Sequence, residues 1–380
     1  MRMAIVCPRR TLACGVYDHA RKLAFHLKGK GEVTFITNAV SGNLIPPSAD
    51  RRSEDLRTLL LSGWGLRGLG ELIRYAWRER PDVINLQYTP YLYHRYGINV
   101  LLPLAALFLV YSGRKIVLTV HERYVPLTNW KFWIVGLPQR LILAALVLSS
   151  GVVFVSVGHW AEWLRRIFWF KRDGIAWVSS PSNIDYRDLA ADEKRAVRDR
   201  IGFDPASMVI SVFHPLAAGK MPDKVLDVWA RIKSQEPRSR LIVIGQDAQE
   251  FEKRGLKVLY RDQVYFSGYV AEKEAGELLA VTDVFLSPYE DGISSKHSSV
   301  TAAMSFALPI ITTGGSLTDP LLANAPVTMT DGGVEEMARA VLAYFHDGDL
   351  RKRTGEAVKA FCDEHLSWTG VAERYLSRTG

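Results

Sequence analysis

At 380 residues the chain exceeds the length at which a single hydrophobic core usually stops growing, so two domains are expected. Hydrophobic residues at 48% and charged residues at 23%, with no polar low-complexity tract or internal repeat, exclude a disordered chain. Charge is uneven: residues 1–190 hold 25 Lys and Arg against 13 Asp and Glu and eight of the ten Trp, whereas the remainder holds 23 against 27, so the net +8 divides into a basic, aromatic half at +12 and a second half at −4.

The N-terminal run Met1 to Pro8 is strand-like and is followed by Arg9 and Arg10, which is too short and in the wrong order for a secretory leader. Cys7, Cys14 and Cys362 are an odd, sparse set without metal-type spacing, which suits a reducing compartment and argues against a structural zinc site. A cytoplasmic protein is the expectation. After MAIVCP, the segment GVYDHARKLAFHL has a helical pattern opened by Gly15, Val16, Tyr17 and Asp18. That turn allows close backbone approach to a ligand, or simply starts a helix.

VTFIT, a Gly- and Arg-containing helical stretch to Arg80, VINLQY, a helix near 98–111 and IVLTV then alternate as strand and helix. Such alternation implies a parallel, doubly wound sheet, which GVVFVS and IAWVS extend. IVLTV ends at His121 and Glu122, a strand's carboxyl end, where a neutral histidine can hydrogen-bond sugar or phosphate oxygens or serve only structure.

Two apolar runs invite a membrane reading. LLPLAALFLVY (101–111) is too short to span a bilayer and contains Pro103, while LILAALVLSSGVVFVSVG (141–158) is broken by Ser149, Ser150 and Gly151 and fits helix, turn and buried strand. HWAEWLRRIFWFKR (159–172) interleaves Trp160, Trp163, Trp169 and Phe170 with Arg165, Arg166, Lys171 and Arg172. That composition fits an interfacial helix and equally a core helix with a solvated basic side. Peripheral contact of residues 130–172 with an anionic membrane is expected in preference to nucleic acid.

The polar stretch 181–207 carries a charge-rich helix and marks the boundary between domains at 1–185 and 186–365. MVISVF, a helix from about 221 to 235, LIVIG, VYFSGY, EKEAGELLAV and DVFLSP then repeat the pattern as a second Rossmann-like unit. Two such units would take ligands at the carboxyl ends of their strands, in a cleft between domains. Lys220 follows MVISVF and could neutralise a diphosphate, or stand in water at a helix start.

PYEDGISSKHSSVTAAMSFALPIITTGG (288–315) joins an acidic turn, a Ser/Lys/His cluster, a small-residue helix and a strand ending in two glycines. Ser298 and Ser299 stand at the expected helix start, where free N–H groups favour phosphate, though caps and a turn alone would also account for Asp291, Gly292 and the serines. Hydride transfer is disfavoured because Gly15 alone stands where G-x-G-x-x-G would be needed, and LAAGKMP lacks the first glycine and the hydroxyl of a P-loop. The one conspicuous acidic pair, Asp347 and Asp349 around Gly348, fits a turn and helix cap better than a metal, and no metal is expected at the chemistry.

With these residues in order, the chain resembles the family 4 glycosyltransferases of the GT-B fold over nearly its whole length. The resemblance rests on CGVYDHARKLAFHL, IVLTVHE, the strand and helix around Lys220, VYFSGYVAEKEAGELLAVTDVFLSPYEDG and AAMSFALPIITTGG. It implies an α/β fold of two facing doubly wound domains, with LSWTGVAERYL in a closing helix (about 366–380) that crosses back onto the first. By resemblance Gly15, with Tyr17 and Asp18, lies in an acceptor-side loop, His121 approaches the transferred sugar, and Lys220 binds the donor diphosphate. Asp291, or Glu290 beside it, would be the first acid of the paired-glutamate motif. Ala302 stands where the second would be, and His214 stands for the family's arginine. A branch with a D-G-x-S-x-R-R-G-S-type loop is similar, with Lys296, His297 and Ser299 in its basic and serine positions.

The implied activity is a retaining transfer, with neither metal nor cofactor, from a nucleotide diphosphate sugar to a glycan or lipid-linked acceptor in cell-surface polysaccharide synthesis. The alternatives are a nucleotide-sugar epimerase of the same fold and a catalytically degenerate scaffold that binds membrane or glycan partners.

Overall fold

The computed structural model describes residues 1–11, 14–39, 56–217, 219–253 and 263–380. The chain forms two compact units, Met1–Ser179 with Trp368–Gly380 and Ser180–Ser367. The divide falls at Ser179/Ser180 instead of 185, because the Ser180 N–H donates to Ser295 O (3.1 Å), Thr301 Oγ1 donates to Ser180 O (3.2 Å) and Ile184 joins the apolar core of the second unit.

In the first unit β1 (Arg2–Val6), β2 (Glu32–Asn38), β3 (Arg57–Leu61), β4 (Val83–Tyr88), β5 (Lys115–Val120), β6 (Val152–Val155) and β7 (Ile175–Trp177) form a sheet in the order β3-β2-β1-β4-β5-β6-β7. Every pairing is parallel. The side-chain period of two divides its core. Ala4, Val6, Ile84, Leu86, Ile116 and Leu118 pack on one face, and Met3, Ile5, Val83, Val117 and Phe154 on the other. The second face is closed by the helices Gly15–Lys28 and Trp368–Thr379, with Tyr375 stacked on Phe154 at 4.0 Å between ring centroids.

The second unit repeats the plan with β8 (Met208–Phe213), β9 (Ser239–Ile244), β10 (Val264–Phe266), β11 (Val284–Ser287), β12 (Ile310–Thr313) and β13 (Thr328–Thr330), in the order β10-β9-β8-β11-β12-β13. Its strands are also parallel and buried on both faces. In each sheet the strand order reverses once, between β1 and β4 and between β8 and β11, and such switch points are where open α/β sheets take ligands.

The strands and helices expected from periodicity are present, with β3 and β13 in addition. β13 has only three residues and β3 is an edge strand with Leu60 in solvent, so neither carries a strong pattern. The run 141–158 is helix, turn and strand as its serines and Gly151 imply, but the helix begins earlier, at Trp130, where Asn129 Oδ1 accepts from the Phe132 N–H at 3.2 Å. It is the one helix among the described residues long and apolar enough to cross a membrane, and a third of it is buried, including Gln139, Leu143 and Leu146.

In residues 159–172 the helix is packed on the core and the turn after it is exposed. Trp160, Ala161 and Leu164 of the helix Gly158–Ile167 are core, whereas Trp169 and Phe170 in the following 3-10 turn are exposed.

Asp347 of the acidic pair is a helix cap: its Oδ1 accepts from the Leu350 N–H at 2.8 Å and starts the helix Gly348–His365. Asp347→Ala should cost about 1 kcal/mol in urea unfolding, the usual value of a lost N-cap; an unchanged midpoint and slope would show that the cap adds nothing.

Candidate functional site

In the second unit the switch point is spanned by one contact. Lys220 follows β8 in a loop whose backbone bridges Tyr289 after β11, and its buried Nζ donates to Ser287 Oγ at 2.6 Å while standing 4.2 Å from the centre of the Tyr289 ring. A cation is thus fixed at the carboxyl end of the two central strands by a hydroxyl and an aromatic face, and among the described residues no carboxylate pairs with it. Lys220 is therefore poised to meet an anion.

The loop after β11 is held by backbone geometry. Gly292 has φ +86°, a left-handed conformation that favours glycine, and a Cβ there would strike Gly315 N and Thr318 Oγ1. A Cβ on Gly315 would in turn meet the Asp291 carbonyl, so the acidic turn and the two-glycine strand end pack backbone to backbone. The Tyr289 N–H donates to Thr313 Oγ1 (2.8 Å), the Ile293 N–H to Thr313 O (3.0 Å) and the Leu317 N–H to Asp291 O (2.8 Å). Glu290 and Asp291 are left at the surface.

The helix Ser298–Ser305 starts as expected, with Ser298 and Ser299 in its first turn and His297 at its N-cap. The Ser299 N–H has no partner among the described residues, a donor of the kind that binds anions at helix starts. Lys296 is half-buried beside it.

His297 does not fill a basic position. Burial, then Lys296 and Lys220, hold its pKa well below the usual value, its ring stacks on Tyr289 at 3.8 Å, and Nδ1 accepts from the Ser294 N–H at 3.1 Å. It braces the loop as a neutral ring.

Ala302 is buried in the apolar core of the same helix. His214 has φ +47°, and its Nδ1 lies 3.1 Å from Asp247 Oδ1, whose other oxygen accepts from the Leu216 N–H at 2.7 Å. Burial raises the Asp247 pKa, but these two contacts outweigh it and the net direction is down. His214 thus locks the loop that leads to Lys220, with its ring packed where a Cβ on Gly245 would lie.

In the first unit, Gly15 starts the helix Gly15–Lys28 in the open, and a Cβ on it would meet nothing within 4 Å, so sterics do not demand glycine there. Tyr17 turns inward, edge-on to Phe35 at 5.4 Å, with the Arg9 guanidinium 4.5 Å over its ring. Asp18 is half-buried in the first turn, where its charge suits the helix start.

His121 ends β5 almost fully buried. Nε2 lies 2.7 Å from Gln87 Oε1, the Gln87 amide nitrogen donates to Asn85 Oδ1, Asn85 Nδ2 donates to Thr119 Oγ1 (3.0 Å), and Thr119 Oγ1 meets Tyr375 OH (2.7 Å). With the amide in that orientation Gln87 accepts from Nε2–H, which leaves the lone pair on Nδ1. His19 packs edge-on to His121 at 4.9 Å, with both of its own ring nitrogens buried and without a hydrogen-bond partner among the described residues.

Sequence reasoning passed over Gln87, Tyr289, Asp247 and Tyr375. A usable signal exists for Gln87: Asn85 and Gln87 in β4, and Thr119 and His121 at the end of β5, are polar residues two apart in otherwise apolar strands, with Gln87 opposite Thr119 in register.

Burial lowers the His121 pKa from 6.5 to about 4, so the folded ring is neutral at neutral pH. The unfolded chain binds the proton first as pH falls, so this contribution to stability is full above about 6.5, is lost progressively toward about 4, and amounts to ~3 kcal/mol at most. His121→Asn should lose less melting temperature than the unsubstituted chain between about pH 7 and about pH 4.5; parallel losses would contradict a buried neutral histidine.

Residues 193–361 match the family described as Glycosyl transferases group 1. Among curated proteins the chain is 21% identical over 203 residues to the GDP-mannose-dependent monoacylated alpha-(1-6)-phosphatidylinositol monomannoside mannosyltransferase of Corynebacterium glutamicum, a match that covers 51% of this chain and 53% of that protein. It is 24% identical over 200 residues to mannosylfructose-phosphate synthase of Agrobacterium fabrum, covering 48% and 42%. The chain thus spans about half the length of the curated relatives it matches.

Among solved structures, HepE of Anabaena in complex with UDP and glucose superposes with a TM-score of 0.72 at 13% identity, over 99% of this chain and 98% of that one. A glycosyltransferase from Rickettsia africae gives 0.73 at 14%, over 100% and 97%. WaaG, a glycosyltransferase involved in lipopolysaccharide biosynthesis, gives 0.68 at 13%, over 98% of each chain. Residues 193–361 thus match the glycosyl transferases group 1 model, on a chain whose fold is GT-B.

Proposed function

We propose that the protein is a glycosyltransferase that moves a sugar from a nucleotide diphosphate sugar to a glycan or lipid-linked acceptor. The carrying observation is the buried Lys220 cation, fixed by Ser287 and Tyr289 at the switch point of the domain that matches the group 1 family. Its charge would stabilise the diphosphate as the bond to the sugar breaks. Lys296 and the N–H groups at the start of Ser298–Ser305 would share the phosphates, so the reading assigns charge neutralisation to the chain itself and not to a metal ion. Asp291 or Glu290 would bind sugar hydroxyls, and the neutral His121 ring would act as an uncharged hydrogen-bonding group toward a sugar. Retention of anomeric configuration belongs to the same reading and rests on family resemblance. The nucleotide sugars in the names of similar proteins, UDP-glucose in complex with HepE of Anabaena and GDP-mannose for the corynebacterial enzyme, define the first panel to try.

Lys220→Ala should lower donor turnover by at least tenfold, with weaker nucleotide diphosphate binding by calorimetry. Mass spectrometry of a UDP- and GDP-sugar panel, with and without extracted lipid acceptor, separates the alternatives. Product only with acceptor supports transfer, an isomerised donor without acceptor supports epimerisation, and absence of any donor binding by folded protein supports a degenerate scaffold.

We also propose that the first unit sits on the cytoplasmic face of an anionic membrane, where a role in cell-surface polysaccharide synthesis would place it. The helices Leu101–Tyr111 and Trp130–Ser149 pack on each other yet leave Leu104 (64% exposed), Trp133 (55%) and Leu141 (65%) in solvent. Lys171 Nζ donates to Val147 O, Leu148 O and Ser150 O, which ties the turn bearing the exposed Trp169 (71%) and Phe170 to the end of the longer helix. Lys131, Arg165, Arg166 and Arg172 accompany this apolar area, and cations beside exposed Trp and Leu match an anionic interface. In flotation, phosphatidylglycerol vesicles should carry the protein and pure phosphatidylcholine vesicles should not. The triple change Trp133→Ser, Leu141→Ser, Trp169→Ser should abolish flotation, and equal recovery with both lipids would refute the interface.

A further inference from the structure

The face of the first sheet that the helix Trp368–Thr379 covers is apolar except for one line of polar side chains. Asn85 and Gln87 in β4, and Thr119 and His121 on and just after β5, alternate with residues of the opposite face, so they share the layer that Tyr375 closes.

The bonds along this line have a direction. The His121 Nε2–H donates to Gln87 Oε1 (2.7 Å), the Gln87 amide nitrogen to Asn85 Oδ1, and Asn85 Nδ2 to Thr119 Oγ1 (3.0 Å). The Thr119 oxygen is then an acceptor, and its own proton has Tyr375 OH as outlet at 2.7 Å. With both amides turned over, the same groups would satisfy one another in reverse: Thr119 would donate to Asn85, Asn85 to Gln87 and Gln87 to Nε2, which would move the His121 proton to Nδ1. Each direction of the line therefore corresponds to one tautomer of a ring that is neutral at neutral pH.

The tautomer matters because of the other nitrogen. His121 Nδ1 has no hydrogen-bond partner among the described residues, and unlike both nitrogens of His19 it is not sealed from solvent. In the observed direction it offers a lone pair to a hydroxyl; in the reverse it would be a donor.

The far end of the line is held firmly. Tyr375 is fully buried, its ring stacks on Phe154 at 4.0 Å, and burial raises its pKa so that the phenol keeps its proton. Lys115 Nζ donates to Thr379 O (2.9 Å) at one end of the helix, and Trp368 at the other packs 4.9 Å from His19, which lies edge-on to His121.

We propose that Tyr375 is a positioning residue: as the outlet for the Thr119 hydroxyl it selects the outward direction of the line and holds His121 as the Nε2–H tautomer, with Nδ1 an acceptor for a substrate hydroxyl. Without the phenol oxygen, the Thr119 proton finds an acceptor within the line only if the line reverses. The use of Nδ1 at a substrate rests on the transferase reading, but the tautomer is measurable without any substrate.

NMR of the full chain carrying isotope-labelled histidine separates bare from protonated ring nitrogens, and His121→Asn identifies the resonances of His121. The unsubstituted chain should show a bare Nδ1 and a protonated Nε2. Tyr375→Phe, which keeps the ring on Phe154, should exchange them and lower nucleotide-sugar turnover at least tenfold, with nucleotide diphosphate affinity unchanged by calorimetry. Thr119→Val is a second variant that should make the same exchange, because the Asn85 amide donor is otherwise left without an acceptor. Tyr93→Phe is the control: its buried hydroxyl donates to the Gln87 main-chain oxygen at 3.0 Å, outside the line, so it should lower the melting temperature and leave the tautomer as it was. Circular dichroism verifies folding of each variant. An unchanged tautomer in folded Tyr375→Phe, or the same exchange in Tyr93→Phe, would overturn the positioning role. Tautomer exchange in a chain that consumes no nucleotide sugar would leave the line standing and remove the transferase reading, whereas lost turnover with the tautomer unchanged would do the reverse.

Discussion

Both sheets are wholly parallel, and most of what the protein offers to a ligand follows from that constraint. Parallel strands need crossover helices on both faces, so each sheet is buried twice over and its strands become continuous apolar runs. Chemistry is thereby driven to the loops at the carboxyl ends, and most strongly to the point where strand order reverses. Lys220 and Tyr289 flank that point in the second unit. In the first, His121 ends β5, one strand farther out.

The two units solve the positioning of polar groups in different ways. In the first, a buried line of side chains, His121, Gln87, Asn85, Thr119 and Tyr375, passes from a strand end to the helix Trp368–Thr379, far away in sequence. Each member satisfies the next, which is what makes a polar network tolerable in an apolar layer. Its cost falls on His121 and His19, whose charged forms burial disfavours. In the second unit, backbone does most of the work. Gly292 and Gly315 allow two loops to touch where any side chain would collide, and Thr313 and the neutral His297 fasten the contact.

That difference explains which site residues were legible. The loop after β11 is contiguous in sequence, so its acidic turn, glycine pair and helix start could be recognised from order alone, as could the strands on either side. Tyr289 was not recognised, because its role as a platform for both Lys220 and His297 arises only when three separate segments meet. His297 looked basic as a letter and is neutral as a neighbour of two lysines in a buried place. Tyr17 sat in a suggestive turn and went to the core, since the first helix must present one face to β2.

Sequence by itself determined the alternation of strand and helix, the two-unit plan, the charge asymmetry between halves and the position of Lys220 after a central strand, because these are local patterns with periods of two and 3.6 residues or simple counts. Tertiary structure alone decided the boundary at Ser179/Ser180, the stacking of Tyr375 on Phe154 and the partner of His121. Each of these depends on which distant segments the parallel sheet order brings side by side, and a parallel sheet joins its neighbours through long crossovers that no local pattern records.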